Sequence, residues 1–190
     1  MVEISYQGRY QKDLLGMYTS QYEHEGKEYK MVSMQLEEIY ARRVFPCLDH
    51  PAKKATFQIE LIIEQGLTAI SNTEIEDSKE LEDGNMSVTF QKTPKMCTYL
   101  LYIGVGTLEV REAETGERIR LITTPGKTKY GDLALEMASR AITFCEEYTS
   151  QPYPLSKCDL IAVPDFPFGA MENWGAITFR ENLLLVYPDK

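Results

Sequence analysis

The sequence predicts a mixed, mainly β fold, and three observations carry that prediction. A period-two alternation of apolar and polar residues runs from Met31 to about Ile122. It gives way after Pro125-Gly126 to spacings of three and four residues, the signature of an amphipathic helix. Turn-forming pairs punctuate the earlier runs at Asp83-Gly84-Asn85, Thr93-Pro94, Thr115-Gly116 and Pro125-Gly126. The expected organisation is a β-rich part over residues 1–123 and a mixed part over 124–190, with no internal repeat or low-complexity tract.

In chain order, Phe57, Ile59, Leu61 and Ile63 alternate with mainly polar neighbours, as a half-buried strand does. Met86, Val88 and Phe90 repeat the pattern. Thr98 to Val105, T-Y-L-L-Y-I-G-V, is continuously apolar or aromatic and predicts a strand covered on both faces. Leu133, Met137, Ala141, Phe144, Cys145 and Tyr148 then mark one helix of about five turns from Gly131 to Tyr148, stopped by Gln151-Pro-Tyr-Pro. A short strand at Leu160 to Val163 and an apolar strand at Leu183 to Tyr187 complete the second part. The first thirty residues promise few strands, and the last run has nothing after it to cover it, so the expectation is a chain that is incomplete or pairs with something else.

Composition narrows the function. The 190 residues carry 20 Lys plus Arg against 29 Asp plus Glu, a formal charge of −9, and no basic stripe offers a footprint for nucleic acid. No apolar stretch approaches the roughly 18 to 20 residues that span a bilayer, and the start lacks a signal-peptide layout. The expected location is the cytoplasm, with no membrane partner. Cys47, Cys97, Cys145 and Cys158 are far apart, which fits reduced, mostly buried thiols better than a disulfide frame or a thiolate zinc site. Of the two histidines, His24 sits in a hydrophilic run and is expected in solvent. No H-E-x-x-H, G-x-S-x-G, Walker A or G-x-G-x-x-G occurs, so no zinc site, serine nucleophile or nucleotide site is encoded in the usual way.

Two stretches stand out. Gly169-Ala-Met-Glu-Asn-Trp-Gly175 brackets a carboxylate, an amide and the only Trp with glycines. It is either a strand edge that hugs a ligand or a β-turn with a solvated Glu. The second, Met34 to Pro51, holds Arg42, Arg43 and Asp49 among prolines and reads as an irregular segment pinned by charge-assisted hydrogen bonds.

G-A-M-E-N-W-G resembles the exopeptidase motif of the GAMEN zinc aminopeptidases, a gluzincin family. Ala41 to Phe57, Thr93 to Leu101, Pro152-Tyr153-Pro154 and Asp159 to Phe166 are similar to further stretches of that family, in its order. The resemblance implies the later part of an N-terminal β-sandwich or saddle domain, then the α+β opening of a thermolysin-like catalytic domain, truncated before H-E-x-x-H. It implies an aminopeptidase acting on peptides with a free N-terminus, with zinc as cofactor of the whole enzyme and none bound by this chain, which alone is expected to be inactive. Carried over by position, Glu172 takes the substrate's α-ammonium, helped by Gln35 and Glu37. Gly169, Ala170 and Met171 line the peptide backbone or its first side-chain pocket, and Asn173 holds the loop in shape. Zinc ligands, general base and transition-state tyrosine have no counterparts, so no catalytic residue is expected here. Asp49-His50-Pro51 departs from the family's Asp-Glu-Pro and is expected to affect loop packing. The implied partner is the remainder of the catalytic domain or another copy of the chain. Two alternatives stay open, a non-catalytic peptide-binding or interaction module and a purely structural β-domain.

Overall fold

A computed structural model describes residues 1–114 and 119–188; the expected turn at Thr115-Gly116 lies outside them. The chain opens its regular structure with a hairpin, β1 (Gly16–His24) and β2 (Lys27–Gln35), in register from Gly16 opposite Gln35 to His24 opposite Lys27. Glu25 and Gly26 both take positive φ at its tip, the backbone a two-residue hairpin turn demands. The first thirty residues thus hold one full strand and the start of a second, a hairpin that the sequence reading did not single out. The inward face of β1 runs Tyr18, Ser20, Tyr22, and its polar atoms hide the period from a hydropathy reading. His24 is half-buried, not solvated, tilted against the Tyr29 ring at 6.5 Å.

Further strands follow: β3 (Glu60–Glu64), β4 (Thr68–Ser71), β5 (Ile75–Glu80), β6 (Asn85–Phe90) and β7 (Ile103–Gly106). They build two sheets, a four-stranded one in the order β1-β2-β7-β4 and a three-stranded one in the order β3-β6-β5. The expected single strand Thr98 to Val105 is shorter. Thr98–Leu100 is a turn of 3-10 helix, and the ladder begins only at Ile103. Leu100, Leu101 and Tyr102 are buried as the apolar run requires, but in place of a neighbouring strand the local turn takes the Leu100 and Leu101 N–H groups and side chains take others. Asn72 Nδ2 donates to Leu100 O at 2.7 Å, Tyr102 N to Asn72 Oδ1 at 2.9 Å, and Ser71 Oγ to Tyr102 O at 2.8 Å.

The second part centres on a mixed sheet in the order β11-β12-β10-β9-β8. Its members are β8 (Glu109–Glu112), β9 (Ile119–Thr123), β10 (Cys158–Val163), β11 (Ala170–Met171) and β12 (Ala176–Arg180). β9 and β10 are parallel, joined across the helix α1 (Asp132–Thr149), and β10 is parallel to β12. A parallel pair needs such a crossover. The residue 123/124 junction expected from the sequence falls at the end of β9, so this sheet takes strands from both sides of it.

α1 touches β9 through Leu135, Ala134, Ala138 and Ile142. The larger stripe Leu133, Met137, Phe144 and Tyr148 is half or more exposed. Both stripes have helical period, and the one through Ala134, Leu135, Ala138 and Ile142 takes the sheet side. Gly131 serves the same contact, since a Cβ there would lie 2.0 Å from Leu121 Cδ2. Cys145 on the outer stripe is exposed, against the expectation of mostly buried thiols, while Cys97 and Cys158 are buried and all four cysteines are free. The expected strand at Leu183 to Tyr187 begins instead inside a one-turn helix, α2 (Glu181–Leu184), with Leu184 and Leu185 packed against the sheet.

Alternation along β10 organises the core. Ile161 and Val163 join Met34, Leu36, Leu100, Leu101 and Met171 in one apolar cluster. Leu160 and Ala162 face the other way, with Leu121, Leu135 and Leu184. The first cluster welds the end of β2 to β11, and the candidate site sits at that weld.

Candidate functional site

β2 ends at Gln35, buried with 1% exposure. Leu36 anchors the chain in the core, and Glu37 and Glu38 then project to the surface across a cis peptide bond. Beyond them a turn at Ala41–Arg43 is fixed by Asp49, whose Oδ2 accepts Arg42 Nε at 2.8 Å and Arg42 N at 3.1 Å, while Oδ1 accepts Thr98 Oγ1 at 3.3 Å. The pinned irregular segment read from the sequence is this structure. His50 Nδ1 accepts the Ala52 N–H at 3.2 Å within the same loop.

The second component alternates in burial: Met171 in, Glu172 out, Asn173 in, Trp174 out. Such alternation keeps the extended habit of β11 while offering one carboxylate to solvent. Met171 pairs with Thr178 and Ala170 with Phe179, and β11 stands at the end of its sheet, so one side of its backbone is unpaired. Asn173 is 1% exposed and donates Nδ2 to Ala176 O at 3.2 Å and to Thr178 Oγ1 at 3.3 Å, closing the bend between β11 and β12. Gly169 O accepts the Arg180 N–H at 2.9 Å. Gly175 has φ +70°, and a Cβ on it would meet Asn72 O at 2.1 Å, so the glycine is a steric requirement.

The two components meet. Gln35 Nε2 lies 3.4 Å from Met171 Sδ, and Gln35 Oε1 is buried and accepts no hydrogen bond among the described residues. Although Glu37 is exposed, partial desolvation and then the charges of Glu172 and Glu38 raise its carboxyl from the ordinary value. Burial also pushes up the Tyr99 hydroxyl, with Cys97, Glu172 and Glu37 adding to it. Glu37, Glu172, Gln35 and Met171 therefore share one neighbourhood, with Ala170 and Gly169 exposed beside it and Asn173 beneath. Among the described residues none of Glu37, Glu38 and Glu172 forms an ion pair. Clustered carboxylates without a counter-ion favour a cationic ligand, because each raises the cost of charging the others.

Sequence reasoning missed Tyr99, Asn72, Arg120, Lys157 and Asp159. Lys157-x-Asp159 leading into an apolar strand carried a usable signal, since residues two apart share a face and charges entering a buried strand must pair. Asn72 carried none, because its partners are remote in sequence.

Two domain models match the chain: the Peptidase M1 N-terminal domain over residues 1–100 and the Peptidase family M1 domain over 133–190. Curated relatives align along almost the whole chain. "Probable aminopeptidase 1" of Saccharolobus solfataricus is 45% identical over 186 residues, 97% of this chain and 23% of the relative. "Puromycin-sensitive aminopeptidase" of Caenorhabditis elegans is 43% identical, covering 98% of this chain and 20% of the relative. "Leucyl aminopeptidase" of Saccharolobus solfataricus is 42% identical, covering 97% and 23%. The chain thus spans about a fifth to a quarter of these proteins. Gln35 and Glu37 lie in the first matched domain and Glu172 in the second, and with more than half its residues in the first match the chain belongs to peptidase family M1.

Proposed function

We propose that this chain supplies the amine-recognition part of the substrate site of a cytoplasmic M1 aminopeptidase, an enzyme that removes residues from peptide N-termini. The observation that carries it is the carboxylate pair Glu37 and Glu172, which form no ion pair among the described residues and follow the ends of strands in two sheets. An exopeptidase must tell a terminal ammonium from an internal amide, and fixed carboxylates do so by charge. Gln35 Oε1, buried beside Met171, is an acceptor for one of the ammonium N–H groups once the loop admits it. The unpaired edge of β11 at Gly169, Ala170 and Met171 suits an extended peptide backbone added as a further strand. Asn173 keeps the bend that presents Glu172. Anchoring the amine sets where the first peptide bond lies, which is the chain's share in the reaction.

M1 peptidases are zinc-dependent as a class, and zinc would polarise the scissile carbonyl and activate water there. The donors of this chain do not fit a zinc site. It has two histidines and no H-E-x-x-H, and among the described residues no group of three His, Cys, Asp or Glu gathers. Binding without hydrolysis is therefore the proposed behaviour of the chain alone, with the remainder of the catalytic domain or another copy of the chain as its partner.

Calorimetric titration with a short peptide and its N-acetylated form tests the amine pocket. Tighter binding of the free-amine peptide is expected, by about tenfold. Equal affinities would sink the assignment.

A further inference from the structure

A buried polar joint that touches neither carboxylate links the two parts of the site. Lys157 is 2% exposed, and its Nζ donates to Ser71 O at 2.5 Å, to Gly175 O at 2.6 Å and to Asp159 Oδ2 at 2.6 Å. Three acceptors around one nitrogen require three N–H groups, so the joint needs the ammonium form. Burial opposes that charge and Asp159 favours it. Asp159, 0% exposed, is held in turn by Arg120, through Nε at 2.7 Å and a terminal nitrogen at 2.8 Å. Beside this cluster Asn72 Nδ2 donates to Trp174 O at 2.8 Å as well as to Leu100 O.

The end of G-A-M-E-N-W-G is thereby fastened at two successive carbonyls, Trp174 and Gly175. Both fasteners lead to the end of β4, in the sheet that carries β2 and, just beyond it, Glu37. Neither Glu37 nor Glu172 has a hydrogen bond of its own among the described residues to orient it, so the spacing of the carboxylates depends on how their backbones are held.

We propose that Lys157, braced by Asp159 and Arg120, is a positioning residue for amine recognition: with Asn72 it latches the Glu172 loop to the β4 sheet and sets the separation of Glu172 from Glu37. The inference rests on Glu172 and Glu37 being the amine ligands. Its physical content is that a saturated buried ammonium makes a rigid joint, whose removal would take the side-chain donor from Ser71 O and one donor each from Gly175 O, which keeps the Asp159 N–H, and Asp159, which keeps Arg120.

The test uses the ligand-free 190-residue chain and the variants Lys157→Met and Asn72→Ala. Leu135→Ala, which empties space under α1 away from the loop, is the stability-matched control. Two readouts report the spacing without any peptide: the emission of Trp174, the only Trp, and the titration midpoint of the Glu37 carboxyl followed by 13C NMR. Expected are a red-shifted emission and a Glu37 midpoint moved at least halfway to its value in Glu172→Gln, with Leu135→Ala changing neither. Wild-type values of both readouts in a folded Lys157→Met or Asn72→Ala would overturn the latch, as would equal shifts in Leu135→Ala. If Lys157→Met does not fold, Asn72→Ala decides. A wild-type chain that binds free and acetylated peptides alike would remove the amine assignment while these readouts still judge the spacing claim.

Discussion

Replacing Glu172 by Gln removes one negative charge from the site and keeps the side chain's volume and hydrogen-bonding reach. A peptide ammonium about 4 Å from the carboxylate is attracted by about 4 kcal/mol at an effective dielectric of 20 and by about 1 kcal/mol in bulk water. Glu172 is exposed in this chain, so solvent screening pulls the value toward the lower figure. A loss of about 1 to 2 kcal/mol is expected, or roughly 5- to 30-fold in Kd. Removing Glu172 also relieves its repulsion of Glu37, which leaves Glu37 more readily ionised, so Glu37→Gln added on top costs at least as much as it does alone, and a double-mutant cycle measures the coupling. Calorimetry with a free-amine peptide at low salt is the assay. Titration of the N-acetylated peptide separates a charge effect from general damage to the loop. A change below about twofold, or equal losses for both peptides, would refute the reasoning.

Further outcomes follow from the same contacts. Because desolvation and the neighbouring carboxylates raise the Glu37 carboxyl from its ordinary value, affinity for an ammonium is lost as pH falls through that raised value. It is also lost above about pH 8, where the peptide amine deprotonates; a flat pH profile would contradict both limits. The sign for stability is opposite. A carboxyl whose folded pKa is raised disfavours the fold once it ionises, so Glu37→Gln should leave the melting temperature unchanged or slightly higher at neutral pH. Gly175→Ala places a Cβ 2.1 Å from Asn72 O at positive φ, and thermal denaturation should show a loss of at least about 2 kcal/mol. Asp159→Asn removes the anion that serves both Lys157 and Arg120, and chemical denaturation should show a loss of about 3 to 5 kcal/mol.

Sequence pattern revealed the elements with a local apolar signal. β6 is legible because Met86, Val88 and Phe90 recur at strand period, α1 because its apolar residues recur at helical period, and β10 because its short apolar run, Leu160 to Val163, is buried throughout. Hairpin β1–β2 was missed because Tyr18, Ser20 and Tyr22 build its inward face from residues with polar atoms. The buried stretch Leu100 to Tyr102 was placed in a strand because an apolar run shows burial but not the partner of its backbone, which here is the side chain of Asn72. On α1 the sequence offered two stripes of one period, and only contact with Leu121 and Leu160 selects the one through Leu135. At the site, Glu37 and Glu172 are far apart in sequence and share no local pattern, so the family resemblance, and not propensity, linked them. The Lys157 joint also bonds to groups distant in sequence, Ser71 O and Gly175 O, and main-chain acceptors leave no trace in residue identity.

The most direct test of amine recognition is made at the carboxyl itself. The midpoint of Glu37, followed by 13C NMR, should fall on saturation with a free-amine peptide, because a neighbouring ammonium favours the ionised form. The N-acetylated peptide should leave it in place. A midpoint unmoved by the free amine, or moved equally by both peptides, would contradict the account.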